Sequence, residues 1–360
     1  MSFFKYILFP FALIYQAITS VRNIFYSLGI FRSKSFGVPV IGIGNLSTGG
    51  TGKTPMSEYV LQLLLDAGYK PALLSRGYGR KTKGFVLANS IITAEQIGDE
   101  PYQIYRKFAE VVVAVCEDRV NGIKNIFLNT KGVNIIVLDD CFQHRKLKAD
   151  YYILLTDYNH PYYEDHMLPV GNLRENISGR KRANMIVMTK CPYVNTELPR
   201  AHLINALKPF PYQSVFFTGL KYFPIVSALN EKISLSDISS YAILGFSGIA
   251  NPQPFINYIK SNAYQYHHLS FSDHHDYSEK ELENIFIEFE KLPEPKLILT
   301  TEKDWRRIED LIDFMRVKNK NIPHKKHIYF LPVGMKWDAM EKRSFDLKIL
   351  DNVRKNSRKL

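Results

Sequence analysis

The feature that most constrains the fold is the stretch from residue 38 to residue 55, where an apolar, β-branched run meets a cluster of glycines. The run Val38–Ile43 is predicted to be a strand, and Gly52-Lys53-Thr54 opens a segment with helical periodicity. A strand, a glycine-rich loop and a helix in this order form a P-loop, in which backbone N–H groups and the helix N-terminus hold phosphate oxygens. We therefore predict a phosphate site here, with Lys53 supplying positive charge and the Thr54 hydroxyl available to Mg²⁺.

The loop departs from the usual P-loop spacing in one place. That spacing calls for glycine where Ser47 stands, so we expect Gly49 and Gly50 to supply the backbone freedom instead. The residues predicted to bind the phosphates are Ser47, Thr48, Gly49, Gly50, Thr51, Gly52, Lys53 and Thr54.

Length and charge narrow the class of protein. A chain of 360 residues that is 46% hydrophobic is too long for one small core, so we expect two domains. The net charge of +12 favours a polyanion, an anionic substrate or an anionic membrane surface as partner. No RNA- or DNA-binding signature accompanies that charge, so we predict no nucleic acid partner, and nothing indicates an obligate protein partner. The three cysteines lack a Cys-x-x-Cys spacing, which predicts buried thiols in a reducing compartment.

Residues 1–30 are predicted to form an amphipathic helix that associates with a membrane. At helical spacing, one stripe carries Gln16, Ser20, Asn23 and Ser27, and the other carries Ile14, Ile18, Val21, Phe25 and Leu28. The apolar stretch is too short and too polar for a membrane-spanning helix, but its very apolar start suits a membrane interface. The alternative is a helix packed on its own domain.

The rest of the chain alternates predicted strands and helices, which indicates an α/β fold with a mainly parallel sheet covered by helices on both faces. We predict a P-loop NTPase-like core domain at residues 31–215 and a smaller C-terminal α/β domain with a basic tail helix at residues 216–360. The predicted core strands after the P-loop are Pro71–Leu74, Val111–Val115, Asn134–Leu138, Tyr151–Leu155 and Met185–Met188.

Two carboxylates, Asp139 and Asp140, end the apolar strand that begins at Asn134. In a P-loop enzyme a carboxylate at this place holds Mg²⁺, directly or through water. The two side chains point to opposite faces if the strand persists, so we expect different roles for them, and the sequence leaves open which one contacts the metal.

Asp99 begins a predicted helix, and two interpretations of it are equally supported. An aspartate at this position caps a helix well. It could instead accept the proton of an attacking hydroxyl, as aspartates commonly do in kinases. Phe271-Ser-Asp-His-His275 offers an Asp-His pair for proton transfer, although a surface turn is as good an interpretation and the sequence does not choose between His274 and His275.

Other polar side chains follow predicted strands or lie in loops. Arg76, Arg119 and Arg174 would form an anion-binding rim if they met at one end of the sheet, and His144 would lie nearby. Met188-Thr-Lys-Cys-Pro192 lacks the aspartate that guanine-specific P-loop proteins carry at its last position, which argues against GTP and is compatible with ATP.

Taken together, these motifs resemble those of the tetraacyldisaccharide 4′-kinases, which are the lipid A 4′-kinases of Gram-negative bacteria. The matching blocks occur in family order and are highly specific as a set, although each alone is not. They are Gly44–Pro55, Ser75–Tyr78, Gly98–Pro101, Asp139–His144, Leu168–Glu175, Gly248–Pro252, Asp273–His274 and Thr301–Asp304. Cys141 stands where the family usually has glycine, and Asn172 where proline is usual.

The resemblance implies ATP-dependent phosphorylation of the 4′-hydroxyl of a tetraacyldisaccharide 1-phosphate, by a peripheral protein at the cytoplasmic face of the inner membrane. It implies that Lys53 and Thr54 hold phosphates and Mg²⁺, that Asp139 and Asp140 lie at the metal, and that Asp99 is the base, assisted by His274. The positions expected around the substrate are Arg76, Tyr78, Arg119, His144, Arg174 and Glu175. The alternative function is a P-loop NTPase that acts as a conformational switch or partner-binding module.

Overall fold

The computed structural model of the chain describes residues 3–192, 199–229, 231–320 and 322–357. Residues 1–2 of the predicted membrane segment and residues 358–360 of the predicted tail helix lie outside this part. The helices are α1 (Phe3–Ser27), α2 (Lys53–Asp66), α3 (Ala94–Ile97), α4 (Asp99–Lys107), α5 (Arg119–Asn129), α6 (Arg200–Leu207), α7 (Gln253–Asn262), α8 (Glu279–Glu290), α9 (Glu302–Val317) and α10 (Ala339–Ser357). The strands are β1 (Val40–Asn45), β2 (Pro71–Ser75), β3 (Val86–Leu87), β4 (Val112–Val115), β5 (Ile135–Leu138), β6 (Tyr151–Asp157), β7 (Met185–Thr189), β8 (Ser214–Phe217), β9 (Gly219–Tyr222), β10 (Ile225–Ser227), β11 (Lys232–Ile233), β12 (Ala242–Ser247), β13 (Gln265–Ser270), β14 (Lys296–Thr301), β15 (Ile328–Leu331) and β16 (Val333–Lys336).

The chain divides into two compact units whose boundaries differ from the predicted domain limits. The first unit, called here the P-loop unit, contains Met1–Ser90, Ile104–Leu220 and Met335–Leu360. The second, called the dyad unit, contains Ile91–Gln103 and Lys221–Gly334. The short excursion at residues 91–103 therefore takes Asp99 out of the predicted core domain and into the same unit as His274.

The P-loop unit is built on an eight-stranded sheet in the order β3-β4-β2-β5-β1-β6-β7-β8, parallel throughout except for the antiparallel edge pair of β3 and β4. Strand β1 is buried at every position, and its residues alternate between two cores. Val40 packs in one core and Ile41 and Ile43 in the other. A parallel sheet covered on both faces buries its strands completely, which explains the continuous apolar run in the sequence.

The dyad unit has its own six-stranded sheet, in the order β11-β10-β15-β14-β12-β13. The four strands from β15 to β13 are parallel, and β10 and β11 form an antiparallel edge. As in the P-loop unit, successive residues of the central strand face opposite cores: Leu244 and Phe246 one of them, Ile243 the other. The prediction of an α/β fold with mainly parallel sheets is confirmed.

The basic tail helix α10 belongs to the P-loop unit. Phe345, Ile349 and Val353 are fully buried in the same core as Met56 and Val60 of α2. The buried positions follow a spacing of four residues, and Leu347, which lies between two of them, is 49% exposed. This helix, which the sequence analysis grouped with residues 216–360, therefore packs on the P-loop unit.

Helix α1 is amphipathic, but its large apolar side chains are exposed, whereas those of a helix that packs on a soluble core are buried. Its apolar residues face outward: Ile14 is 58% exposed, Ile18 63% and Leu28 70%. Its inward side contains Ala12 and Thr19, which are 5% and 7% exposed. The expectation that this stretch is too short and too polar to span a membrane is not met, because Ile7–Ser27 passes both criteria, length and composition. Of its most apolar window 11% is buried, unlike a helix inside a core.

Candidate active site

The phosphate-binding loop of the P-loop unit joins the carboxyl end of β1 to the start of α2. Gly49 and Gly52 have φ angles of +95° and +84°, in the left-handed region that glycine adopts without strain. Ser47 forms an isolated antiparallel bridge with Leu173 and needs no such freedom, which explains why serine is tolerated where the usual spacing calls for glycine. The expectation about glycine freedom thus fits Gly49, whereas Gly50 has no positive φ.

The loop is fixed from several sides. Thr51 is buried, and its hydroxyl accepts a hydrogen bond from Asn45 Nδ2 at 2.8 Å while its carbonyl accepts one from the Thr189 hydroxyl at 2.9 Å. The Thr48 N–H donates to the carbonyl of Asn172 at 2.7 Å. These contacts order the loop before any ligand binds, which lowers the entropic cost of binding one.

The N-terminus of α2 is suited to an anion. Its N-cap is Gly52, whose lack of a side chain leaves the first N–H groups of the 14-residue helix without a side-chain cap, and the first turn carries no acidic residue. Lys53 and Thr54 occupy that first turn and are partly exposed. The helix dipole and the ammonium group together favour negative charge at this position.

Asp139 and Asp140 reach the same region from β5. The strand ends at Leu138, and Asp140 turns away with a φ of +48°. Asp139 is 2% exposed and accepts a hydrogen bond from the Ser57 hydroxyl of α2 at 3.2 Å. Asp140 lies 3.9 Å from Lys53 Nζ. The two carboxylates therefore have different partners.

Arg174 pairs with Asp140. Its NH1 and NH2 donate to Oδ2 and Oδ1 of Asp140 at 2.9 and 2.6 Å, and NH2 also donates to Asn45 Oδ1 at 2.5 Å. Burial would raise the pKa of Asp140, but the hydrogen bonds from Arg174 and the charge of Lys53 lower it to about 2. The carboxylate is therefore ionised at neutral pH and can bind a cation.

The oxygen donors beside the P-loop suit Mg²⁺, which shares its coordination with phosphates and water, better than a metal ion that only protein side chains coordinate. Thr54, Asp139 and Asp140 offer hydroxyl and carboxylate oxygens, the ligands that Mg²⁺ prefers. Among the described residues there is no group of three or more His, Cys, Asp or Glu side chains that could form a full metal cage. Magnesium usually binds through one or two carboxylates together with substrate phosphates and water, and this donor set matches that pattern.

Arg119 is buried and His144 partly buried, so neither lies on an open, solvent-exposed rim. Arg119 is 2% exposed, and its guanidinium donates to the carbonyls of Cys116 at 2.9 Å and Asp139 at 3.5 Å. His144 Nε2 accepts a hydrogen bond from the Arg119 N–H at 3.3 Å. Burial, and then the charge of Arg119, lower the pKa of His144 to about 4, so the imidazole is neutral at pH 7.

Arg76 and Tyr78 follow the carboxyl end of β2 and are both exposed, Tyr78 at 74%. Glu175 is completely buried, which differs from an open substrate contact. Its carboxylate accepts hydrogen bonds from Gln143 Nε2 at 2.9 Å, Arg182 NH2 at 2.7 Å and Asn23 Nδ2 at 3.2 Å. The predicted rim is therefore divided into exposed, half-buried and fully buried members.

The dyad unit places Asp99 and His274 in contact. Asp99 Oδ2 lies 2.9 Å from His274 Nδ1, and Arg307 Nε donates to Oδ1 of Asp99 at 3.0 Å. Arg307 NH2 also pairs with Oδ2. Burial would raise the pKa of Asp99, but the hydrogen bonds from His274 and Arg307 and the charges of Arg307 and Lys303 hold it well below its usual range. Asp99 is the first residue of α4, and its carboxylate serves this cluster.

The geometry distinguishes the two neighbouring histidines. The backbone N–H of His274 donates to the carbonyl of Gly248 at 3.2 Å, and the residue has a φ of +58°. His275 instead contacts Glu281 through Nε2 at 2.9 Å and Ser272 through Nδ1 at 3.2 Å. Of the two, His274 is the one in contact with Asp99.

The sequence interpretation missed Arg307 and gave no role to Lys303, whose Nζ lies 3.2 Å from His274 Nε2. Both lie on α9, which Thr301 caps by accepting a hydrogen bond from the Asp304 N–H at 3.1 Å. The sequence could have indicated that these two residues act together. Lys303 and Arg307 are four residues apart on the helix that follows β14, so they share one face of it.

Comparisons with known proteins extend over nearly the whole chain. Residues 4–354 match the family described as Tetraacyldisaccharide-1-P 4′-kinase. The tetraacyldisaccharide 4′-kinase of Flavobacterium johnsoniae is 43% identical over 356 residues, covering 99% of each chain. That of Bacteroides thetaiotaomicron is 42% identical, covering 98% of this chain and 94% of its own. The fold is similar to that of LpxK from Aquifex aeolicus, solved in complex with ATP, with a TM-score of 0.75, 28% identity and coverage of 97% of this chain and 99% of that one.

Proposed function

This chain belongs to the tetraacyldisaccharide 4′-kinase family, and from that premise we propose how its residues carry out the reaction. It is an ATP-dependent kinase that phosphorylates the 4′-hydroxyl of a tetraacyldisaccharide 1-phosphate, a lipid A precursor. The observation that carries the assignment to particular residues is the P-loop itself, in which Gly49 and Gly52 shape the loop and Lys53 lies 3.9 Å from Asp140.

The P-loop holds the triphosphate of ATP. The residues from Ser47 to Thr54 supply backbone N–H groups, and Lys53 neutralises charge that develops on the terminal phosphates during transfer. Thr54, Asp139 and Asp140 would hold Mg²⁺ with the phosphates, and the ion would supply further neutralisation of that charge. Phosphoryl transfer depends mainly on such positioning and charge stabilisation, so these residues account for most of the catalysis.

Asp99 and His274 act on the acceptor as a pair. The ionised carboxylate of Asp99 orients the imidazole, and the pair receives the proton of the 4′-hydroxyl. The bond from the sugar oxygen to the γ-phosphorus forms as the bond from that phosphorus to the oxygen of ADP breaks. The support for this role is the 2.9 Å contact between Asp99 and His274 Nδ1, inside a cluster with Arg307 and Lys303.

The remaining predicted substrate residues divide by exposure. Arg76 and Tyr78 contact the sugar and its phosphate directly, because both are exposed at the carboxyl end of β2. Arg119, His144, Arg174 and Glu175 support them from below, since each is buried or partly buried and is held by hydrogen bonds inside the P-loop unit.

The outward face of α1 binds the cytoplasmic surface of the inner membrane, where the acylated substrate lies. A row of exposed apolar side chains such as Ile14, Ile18 and Leu28 suits the boundary between headgroups and acyl chains. The net charge of +12 adds attraction to anionic lipids. The protein is therefore a peripheral membrane enzyme.

The test is phosphoryl transfer from γ-³²P-ATP to tetraacyldisaccharide 1-phosphate in detergent micelles. We expect labelled lipid whose new phosphate lies on the 4′-oxygen, as determined by mass spectrometry and ³¹P NMR. A substrate analogue without the 4′-hydroxyl is the matched control and should remain unlabelled. ATP hydrolysis at the same rate with and without lipid, and no labelled lipid, would reject the kinase in favour of an NTPase switch.

A further inference from the structure

The inward face of α1 contacts Arg174 and Glu175 of the P-loop unit directly. The hydroxyl of Tyr15 donates a hydrogen bond to the carbonyl of Arg174 at 3.0 Å, across 159 residues of sequence. One and two turns further along the helix, Thr19 is buried and Asn23 Nδ2 donates to Glu175 Oε2 at 3.2 Å. Two side chains of this helix, Tyr15 and Asn23, thus contact two consecutive residues, Arg174 and Glu175.

Arg174 and Glu175 form a fixed joint between α1 and the nucleotide site. The Arg174 side chain extends to Asp140 and Asn45, next to Lys53. Glu175 is fully buried, and a buried carboxylate is tolerated only when donors compensate its lost hydration. Asn23 is one of its three side-chain donors, so the helix is part of what keeps this charge in place.

Arg145 makes a second set of contacts with the same turn of α1. Arg145 NH1 donates to the carbonyl of Asn23 at 2.5 Å, and its guanidinium lies 3.3 Å from the Ser27 hydroxyl. Arg145 follows Asp139 and Asp140 in the chain by a few residues, so the segment after β5 contacts α1 as well. These contacts are more than an inserted anchor needs, because its energy of insertion comes from the outward apolar face.

We propose that α1, beyond binding the membrane, is a positioning element of the active site, with Tyr15 and Asn23 as positioning residues that set the grip of Arg174 on Asp140. The proposal rests on the proposed kinase function. It separates the two faces of one helix: the outward face determines where the enzyme is, and the inward face determines how well its nucleotide site is assembled.

The test compares kcat with membrane binding in full-length variants. For Tyr15→Phe and Asn23→Leu we expect kcat to fall about 2- to 10-fold, the effect of losing one hydrogen bond each, with flotation on phosphatidylglycerol vesicles unchanged. Tyr212→Phe is the matched control, because Tyr212 also donates its hydroxyl to a carbonyl, that of Lys181 at 2.7 Å, without touching Arg174. Its kcat should equal that of the wild type.

A charge exchange distinguishes positioning from general loss of structure. Asn23→Asp places a second carboxylate against Glu175 and should lower kcat more than Asn23→Leu does. Adding Glu175→Gln restores an amide–carboxylate hydrogen bond in the reverse sense, so the double variant should recover part of the lost kcat. Thermal unfolding of each variant identifies any that fail to fold.

The outcomes distinguish failure of the kinase function from failure of the positioning role of α1. If the wild type leaves the lipid unphosphorylated, the proposed function fails. If the wild type is active and the folded Tyr15→Phe and Asn23→Leu variants both keep its kcat, the positioning role of α1 is wrong while the kinase stands. Lower vesicle binding with unchanged kcat would likewise assign the inward face to anchoring and overturn the proposal.

Discussion

The guanidinium of Arg174 donates two hydrogen bonds to the carboxylate of Asp140, from NH1 to Oδ2 and from NH2 to Oδ1. A planar guanidinium can make this pair of parallel bonds, whereas a lysine ammonium acts as a point charge. The pairing fixes the orientation of a carboxylate that also lies 3.9 Å from Lys53. Arg174 therefore controls which oxygen of Asp140 faces the phosphate-binding loop.

For Arg174→Lys we expect kcat to fall about 10- to 100-fold, since a charge-assisted hydrogen bond contributes about 1.5–3 kcal/mol. Arg180→Lys is the matched control, because Arg180 is not in contact with Asp140 and its Nε donates to the carbonyl of Lys208. The measurement is steady-state phosphorylation of the lipid in micelles. Equal losses in both variants would show that the geometry of the Arg174 pair is unimportant.

Removing either member of the Asp99–His274 pair should remove the proton acceptor. For Asp99→Ala and His274→Ala we expect kcat to fall about 10²- to 10⁴-fold, the usual contribution of general base catalysis, while ATP binding survives. His275→Ala is the control, because that side chain contacts Glu281 instead. Near-normal turnover of Asp99→Ala, with ATP affinity measured by calorimetry, would reject Asp99 as part of the base.

Arg307 should determine the response of the enzyme to acid. Its hydrogen bonds and charge hold the pKa of Asp99 below the usual range, so Asp99 stays ionised through the acid range of an assay. In Arg307→Met the stabilisation of the anion is lost, the pKa of Asp99 rises, and the acid limb of the kcat/KM profile moves to higher pH. Arg316→Met, an exposed change on the same helix, should leave the profile where it is. Superimposable profiles for all three proteins would contradict this.

His144 should make the fold sensitive to mild acid. Its pKa is about 4 in the folded protein against 6.5 for the free side chain, so the unfolded state binds a proton first as pH falls. The stabilisation is complete above pH 6.5 and is lost progressively toward pH 4. The loss between pH 6.5 and 5 is at most about 2 kcal/mol, and smaller because the ring is partly exposed.

In His144→Gln an amide oxygen can still accept the hydrogen bond from the Arg119 N–H, but nothing titrates. We therefore expect the difference in Tm between pH 7.5 and pH 5 to be smaller in this variant than in the wild type. Differential scanning calorimetry at the two pH values measures it. An unchanged difference would mean that His144 is solvated well enough to titrate normally.

Cys141 is accommodated by a glycine on the neighbouring strand. A Cβ added at Gly42 would lie 2.6 Å from Cys141 Sγ and 3.0 Å from Tyr152 Cδ1. Gly42→Ala should therefore lower the free energy of unfolding by about 1–3 kcal/mol through overpacking. Adding Cys141→Gly removes the nearer clash and should restore part of that loss, as chemical denaturation would show. Additive effects of the two changes would contradict the packing argument.

Much of the fold could be predicted because its signals are local. The central strands of the P-loop unit are short apolar runs, and β2, β4, β5, β6 and β7 all begin within one residue of the predicted start. The segment from Gly219 to Ser227 forms two strands, β9 and β10, separated by Phe223 and Pro224. Proline has no N–H to donate to a ladder, which explains the break.

The site could be predicted only as far as motifs reach. The P-loop and the two aspartates after β5 follow from residue order, and Lys53 and Asp140 do lie together. The contacts that connect the motifs could not be predicted, because they join distant segments: Asp99 and Arg307 are 208 positions apart, and Asn23 and Glu175 are 152. Local periodicity carries no information about such pairs.

The exposed apolar face of α1 also bears on which substrate concentration determines the rate of this enzyme. If the exposed residues Ile14, Ile18 and Leu28 bind the membrane as proposed, the enzyme encounters its acceptor on a surface, by lateral diffusion. Turnover then scales with the number of acceptor molecules per unit area of bilayer, and adding inert lipid at constant total acceptor slows the reaction by surface dilution.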